Sequence, residues 1–115
     1  GISAGSMNCA EEVYAMPELE GESCNRRYRR FMEGLGLTRR RVIPHYNVLK
    51  DEMLDGKRML EDIACVDSVG REFYLIPDGS FILQRDGKEE LHGEGYMIRN
   101  NKIKKIGEAD QVNML

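Results

Sequence analysis

The chain has 115 residues, 41% apolar and 32% charged, with a net charge of −3, a balance that supports a folded core and excludes a disordered chain. No run of about 18 apolar residues is present to span a bilayer and no basic-then-apolar leader opens the sequence, so the expectation is a cytoplasmic protein without a membrane partner. The negative charge argues against a dedicated nucleic-acid binder.

The first feature in chain order is Gly1-Ile2-Ser3-Ala4-Gly5, a G-x-S-x-G run of the kind that forms a nucleophile elbow. In such a turn the serine sits between strand and helix, and the glycines keep Cβ atoms off the crowded backbone. Behind it Ala4, Met7, Ala10 and Tyr14 recur at helical spacing with Val13 beside them, which predicts a helix with Ser3 at its N-terminus. Pro17, Glu18, Glu20 and Glu22 read as a solvent loop. A second helix is predicted from Asn25, which can cap it, through Tyr28, Phe31, Met32 and Leu35 at i, i+3, i+4 and i+7. Arg26, Arg27, Arg29 and Arg30 fall on its other faces, and Gly34 and Gly36 can end it.

Val42-Ile43, after Arg39, Arg40 and Arg41, predicts a short strand that stops at Pro44, which has no N–H to donate. A third helix is predicted from about Lys50 to Ala64, with Met53, Leu60, Ile63 and Ala64 on one face and Gly56 weakening its middle. Phe73-Tyr74-Leu75-Ile76 reads as strand, Pro77-Asp78-Gly79 as turn, Phe81-Ile82-Leu83 as strand again and Asp86-Gly87 as turn. Tyr96 to Arg99 and Lys102 to Ile106 flank Asn100-Asn101, which tolerate positive φ, and predict a closing hairpin. Helices alternating with strands first, and antiparallel strands last, predict an α/β sheet with helices on both faces and an antiparallel edge.

Cys9, Cys24 and Cys65 are odd in number and widely spaced, which fits reduced thiols. With no C-x-x-C pair and only His45 and His92 as imidazoles, no zinc site or other metal is expected.

A serine nucleophile needs a base within hydrogen-bond reach and an acid to orient that base. His45 and Asp78 each follow a predicted strand, and α/β folds carry reactive groups in loops beyond the carboxyl ends of strands. Ser3, His45 and Asp78 are therefore expected on one edge of one sheet. The rival order is Ser3, Asp78, His92, as in α/β-hydrolase esterases. The polar stretch Glu89-Glu90-Leu91-His92-Gly93-Glu94 reads instead as an exposed loop, which favours His45. Taken singly, Ser3 could be a helix N-cap, His45 a strand-end histidine with a structural hydrogen bond, and Pro77-Asp78-Gly79 an ordinary turn.

As a set, the motifs resemble the dipeptidase E and cyanophycinase group of serine peptidases, built on a flavodoxin-like, class I glutamine-amidotransferase-like fold. Gly1-Ile2-Ser3-Ala4-Gly5-Ser6 is similar to the family's G-x-S-A-G-[AS] elbow, Ile43-Pro44-His45-Tyr46 to its strand-end P-H-[FY], and Ile76-Pro77-Asp78-Gly79 to its [LI]-P-[ED]-G turn. Gly34-Leu35-Gly36-Leu37 fits as well. The resemblance implies that Ser3 is the nucleophile, His45 the base and then the acid, and Asp78 the group orienting the imidazole, where family dipeptidases often carry the longer glutamate. It also implies the Ala4 N–H as one oxyanion-hole donor. Glu18 lies near an acidic position of some members and ranks below Asp78.

The implied activity is hydrolysis of a small-peptide amide bond through an acyl-enzyme, with no cofactor. For substrates with an N-terminal aspartate it implies a cation, Arg58 or Lys57, near the substrate carboxylate. A family domain has roughly 200 residues, within the usual single-domain range. Residues 1–115 are thus expected to form the C-terminal half of such a domain. The N-terminal half, expected to be absent from this chain and to be supplied as a separate one, would provide the second oxyanion donor and be needed for activity. A homodimer is also open. The contrasting expectation is a non-catalytic binding or regulatory protein on the same fold. The basic runs Arg26 to Arg30 and Arg39 to Arg41 read as solvated faces, with binding of an anionic partner or an acidic substrate as the alternative.

Overall fold

The computed structural model describes residues 12–17, 19–36, 40–85 and 87–115. In chain order these form β1 (Glu12–Tyr14), a 3-10 turn (Glu22–Cys24), β2 (Phe31–Glu33), β3 (Arg41–Ile43), α1 (Tyr46–Leu49), β4 (Met53–Leu54) and β5 (Lys57–Arg58). A π-helical segment (Met59–Ala64) runs into the short α2 (Cys65–Asp67), followed by β6 (Glu72–Leu75), β7 (Phe81–Arg85), β8 (Lys88–His92), β9 (Gly95–Arg99), β10 (Lys102–Gly107) and β11 (Val112–Met114).

The central sheet has the order β10-β9-β6-β3. β3 and β6 run parallel, with Ile43 opposite Leu75, while β6, β9 and β10 are antiparallel. A second sheet, β11-β8-β7, is antiparallel, and β1-β2 and β4-β5 are separate two-stranded ribbons.

The run Phe73 to Ile76 explains the layering. Successive strand residues point to opposite faces, and all four of these are buried, so β6 has core on both sides. On one face Phe73 and Leu75 pack with Ile43, Ile98, Tyr14 and the π-segment residues Leu60 and Ile63. On the other, Tyr74 and Ile76 meet Leu91 of the second sheet, with Val42, Ile82 and Met97 around them. Tyr14 stacks on Phe73 with centroids 4.3 Å apart. Its hydroxyl donates to Asp67 Oδ2 at 2.6 Å, and Arg30 Nη1 reaches Asp67 Oδ1 at 2.7 Å, tying the first ribbon to α2.

The expected flavodoxin-like α/β sheet with helices on both faces is thereby corrected. The described chain is mostly strand, in four small sheets, and one face of the central sheet is covered by another sheet rather than by helices. Each predicted helix fails for an identifiable reason. Val13 and Tyr14 lie in β1, paired with Met32 and Phe31, where a β-branched and an aromatic residue pack well. Residues 4–11 of that predicted helix lie outside the described residues.

Asn25 accepts the N–H of Arg27 at 2.9 Å and so closes a turn rather than capping a helix. Downstream, pairing with β1 overrides the 3.6-residue period: Met32 and Leu35 are 41% and 70% exposed, and Phe31 is the stripe residue that packs on Tyr14. In the third predicted helix Asp55 and Gly56 both take positive φ, 52° and 75°, and turn the chain between β4 and β5. Helical structure begins only at Met59. The polar stretch read as a loop is β8, the middle strand of its sheet.

The predicted strands at Val42, Phe73, Phe81 and the closing hairpin are present, the last with Asn100 and Asn101 at φ 47° and 66°. Among the described residues no helix is long and apolar enough to cross a membrane.

Candidate catalytic site at the ends of two parallel strands

Ile43-Pro44-His45 and Ile76-Pro77-Asp78 repeat one local pattern, in which an apolar residue ends the ladder, a proline removes the next donor, and a polar residue follows. Because β3 and β6 are parallel neighbours, both patterns end at the same edge. The Ile76 N–H donates to the Ile43 carbonyl at 2.9 Å, and the Tyr46 N–H donates to the Ile76 carbonyl at 3.3 Å, so the pairing continues to the level of His45. There His45 Nδ1 lies 3.0 Å from Asp78 Oδ1.

Three contacts fix this arrangement. The His45 carbonyl accepts the N–H groups of Val48 and Leu49, each at 3.0 Å, so the residue opens the single turn of α1. His45 itself is left-handed, φ 64° and ψ 38°, a conformation that non-glycine residues adopt at some cost and that recurs at functional sites. Asn47 Oδ1 accepts the Asp78 N–H at 2.8 Å and ties the second turn to α1. The two side chains are 50% and 62% exposed, so the pair adds little to stability but is open to a ligand.

With Nδ1–H donated to the carboxylate, the lone pair of the ring sits on Nε2. That tautomer presents Nε2 as the ring's acceptor atom. An open cleft of about 530 Å³ adjoins Asp78 and is lined by Asn47, Phe81, His92, Asp110 and Val112 among others. His92 shares this cleft but has other partners. Its ring stacks on Phe81 at 4.6 Å, and its Nε2 is 3.2 Å from Glu90 Oε1.

Arg58 is engaged within its own segment. Its Nε and Nη2 bind the two Asp62 oxygens at 3.1 and 3.0 Å, and its N–H binds Asp62 Oδ2 at 2.8 Å. The Arg58 hydrogen bonds hold the Asp62 carboxyl below its ordinary range. A substrate carboxylate would have to compete with Asp62 for this guanidinium. Ser3, Ala4 and Glu18 lie outside the described residues. Among the described residues, no three His, Cys, Asp or Glu side chains gather in a way that could hold a metal ion. Asn47 is the site residue that sequence reasoning missed; its only signal is a hydrogen-bonding side chain two positions after His45.

Compared with protein-family models, with curated proteins and with solved structures, the chain matches none of them. The functional reading therefore rests on the geometry of His45 and Asp78 and on the three motifs.

Proposed function

We propose that this protein is a serine-type peptidase resembling dipeptidase E, in which Ser3, His45 and Asp78 hydrolyse an amide bond of a small peptide. The observation that carries the reading is the 3.0 Å approach of His45 Nδ1 to Asp78 Oδ1 at the carboxyl ends of two adjacent parallel strands. The G-x-S-A-G-S run supplies the nucleophile by resemblance to the family elbow.

In this reading Ser3 Oγ attacks the carbonyl carbon while its proton passes to His45 Nε2, and the Ala4 N–H donates to the developing oxyanion. Collapse of the tetrahedral intermediate breaks the C–N bond, and His45 returns the proton to the leaving amine. Water then adds to the acyl-enzyme by the same route in reverse roles, releasing the acid and restoring Ser3. Asp78 holds the ring through Nδ1 throughout. The free Cys24 and Cys65 are in keeping with a cytoplasmic setting.

In the whole protein, Asp78→Asn is expected to lower peptide hydrolysis roughly a hundredfold or more, and His92→Ala to leave it unchanged. Equal loss from His92→Ala would move the assignment to the Ser3, Asp78, His92 order. Hydrolysis indifferent to both Ser3→Ala and Asp78→Asn would overturn the reading.

A further inference from the structure

The opposite end of the β3–β6 pair carries a second cluster. Arg40 precedes β3, Arg41 opens it, Arg71 precedes β6, and Arg99 ends β9. Because β9 is antiparallel to β6, these positions meet at one sheet edge, where they line a cleft of about 640 Å³. Their carboxylate partners are fewer than the guanidiniums. Arg41 Nη2 and Arg71 Nε converge on one oxygen, Glu12 Oε1, at 2.8 and 3.0 Å. Arg99 Nη1 lies 3.3 Å from Glu72 Oε1, and Arg40 is held by Glu89 at 3.1 Å and by the Tyr74 hydroxyl at 2.6 Å. Among the described residues, the three guanidiniums of Arg41, Arg71 and Arg99 thus face two carboxylates, Glu12 and Glu72. Arg41 Nε is buried with no hydrogen-bond partner among the described residues.

Two guanidiniums sharing one carboxylate oxygen repel each other, and the repulsion falls when a further anion binds between them. We propose that this cleft binds the phosphate group of a small molecule, at a site separate from His45 and Asp78. A doubly charged tetrahedral oxyanion has acceptor oxygens for several guanidinium forks at once. The internal carboxylates already meet part of the pairing demand and leave the surplus charge to the ligand. Arg99 is the adaptable member, 59% exposed and joined to the protein through Glu72.

The test is thermal melting of the protein titrated with inorganic phosphate and with phenyl phosphate, against sodium chloride at matched ionic strength. A saturable rise in Tm beyond that of chloride is expected, and the probe that saturates at lower concentration identifies a free ion or an ester as the ligand. Arg99→Ala should weaken the apparent affinity roughly tenfold or more. Glu72→Gln removes the competing carboxylate and should tighten binding, an effect opposite to that of a damaged fold. A Tm rise that chloride reproduces, one that survives unchanged in Arg99→Ala, or weaker binding in Glu72→Gln would overturn the proposal.

Discussion

The side-chain oxygen of Asn47 accepts the backbone N–H of Asp78 at 2.8 Å, so a residue of α1 holds the turn that presents the acid to His45. Removing the amide frees that turn while leaving the His45 and Asp78 side chains in place. Asn47→Ala is expected to cost about 0.5–1.5 kcal/mol in stability and to slow acylation of Ser3 by up to roughly tenfold. KM should change little, because Asn47 positions Asp78 rather than the substrate. Steady-state kinetics with a denaturant midpoint separate the two effects. A large KM increase at constant kcat would show that Asn47 acts on the substrate instead.

Gly107 closes β10 against the second sheet. A Cβ at this position would lie 2.8 Å from the Gly93 carbonyl oxygen and 2.9 Å from Leu91 Cδ2. Leu91 is fully buried and Gly93 O is backbone, so neither can move aside freely. Gly107→Ala is expected to destabilise the fold by about 1–3 kcal/mol, measured by urea unfolding. An unchanged midpoint would mean that the two sheets do not pack as described.

Glu12 gives the fold a calculable acid sensitivity. The Arg71 hydrogen bond, with further help from Arg41, outweighs partial burial and holds its carboxyl below the ordinary range. A depressed folded-state pKa contributes stability that is in place above the unfolded value and is lost as pH falls through the folded one. Wild type should therefore exceed Glu12→Gln in stability near pH 7. The side chain is 37% exposed, so the difference should be at most about 1 kcal/mol. It should shrink towards zero as the pH falls through the ordinary carboxylate range and below it. A difference constant with pH would assign the effect to packing rather than charge.

What the sequence reveals depends on the range of the interactions involved. Ile43-Pro44-His45, Ile76-Pro77-Asp78 and Asn100-Asn101 are legible because proline and positive-φ asparagine act within two or three residues. The partnership of His45 with Asp78 is legible once two apolar runs are read as neighbouring parallel strands. The helices are misread because Phe31, Met32 and Leu35 carry a helical period whose outcome is set by distant groups, Tyr14 and Phe73. Gly56 does announce the break in the third helix, but only the paired turn Asp55-Gly56 makes it a hairpin. β8 hides because Leu91 is its one fully buried residue, set between glutamates and a histidine, and Glu89 pairs with Arg40, the residue just before β3.

The most direct test of the central claim is covalent labelling of the folded whole protein, with the N-terminal half present, by a fluorophosphonate probe mapped by mass spectrometry. Modification at Ser3 is expected, absent in Ser3→Ala, slowed roughly a hundredfold or more in His45→Ala, and unaffected by His92→Ala. Absence of label at Ser3, or labelling undiminished in His45→Ala, would contradict the assignment of Ser3 and His45 as nucleophile and base.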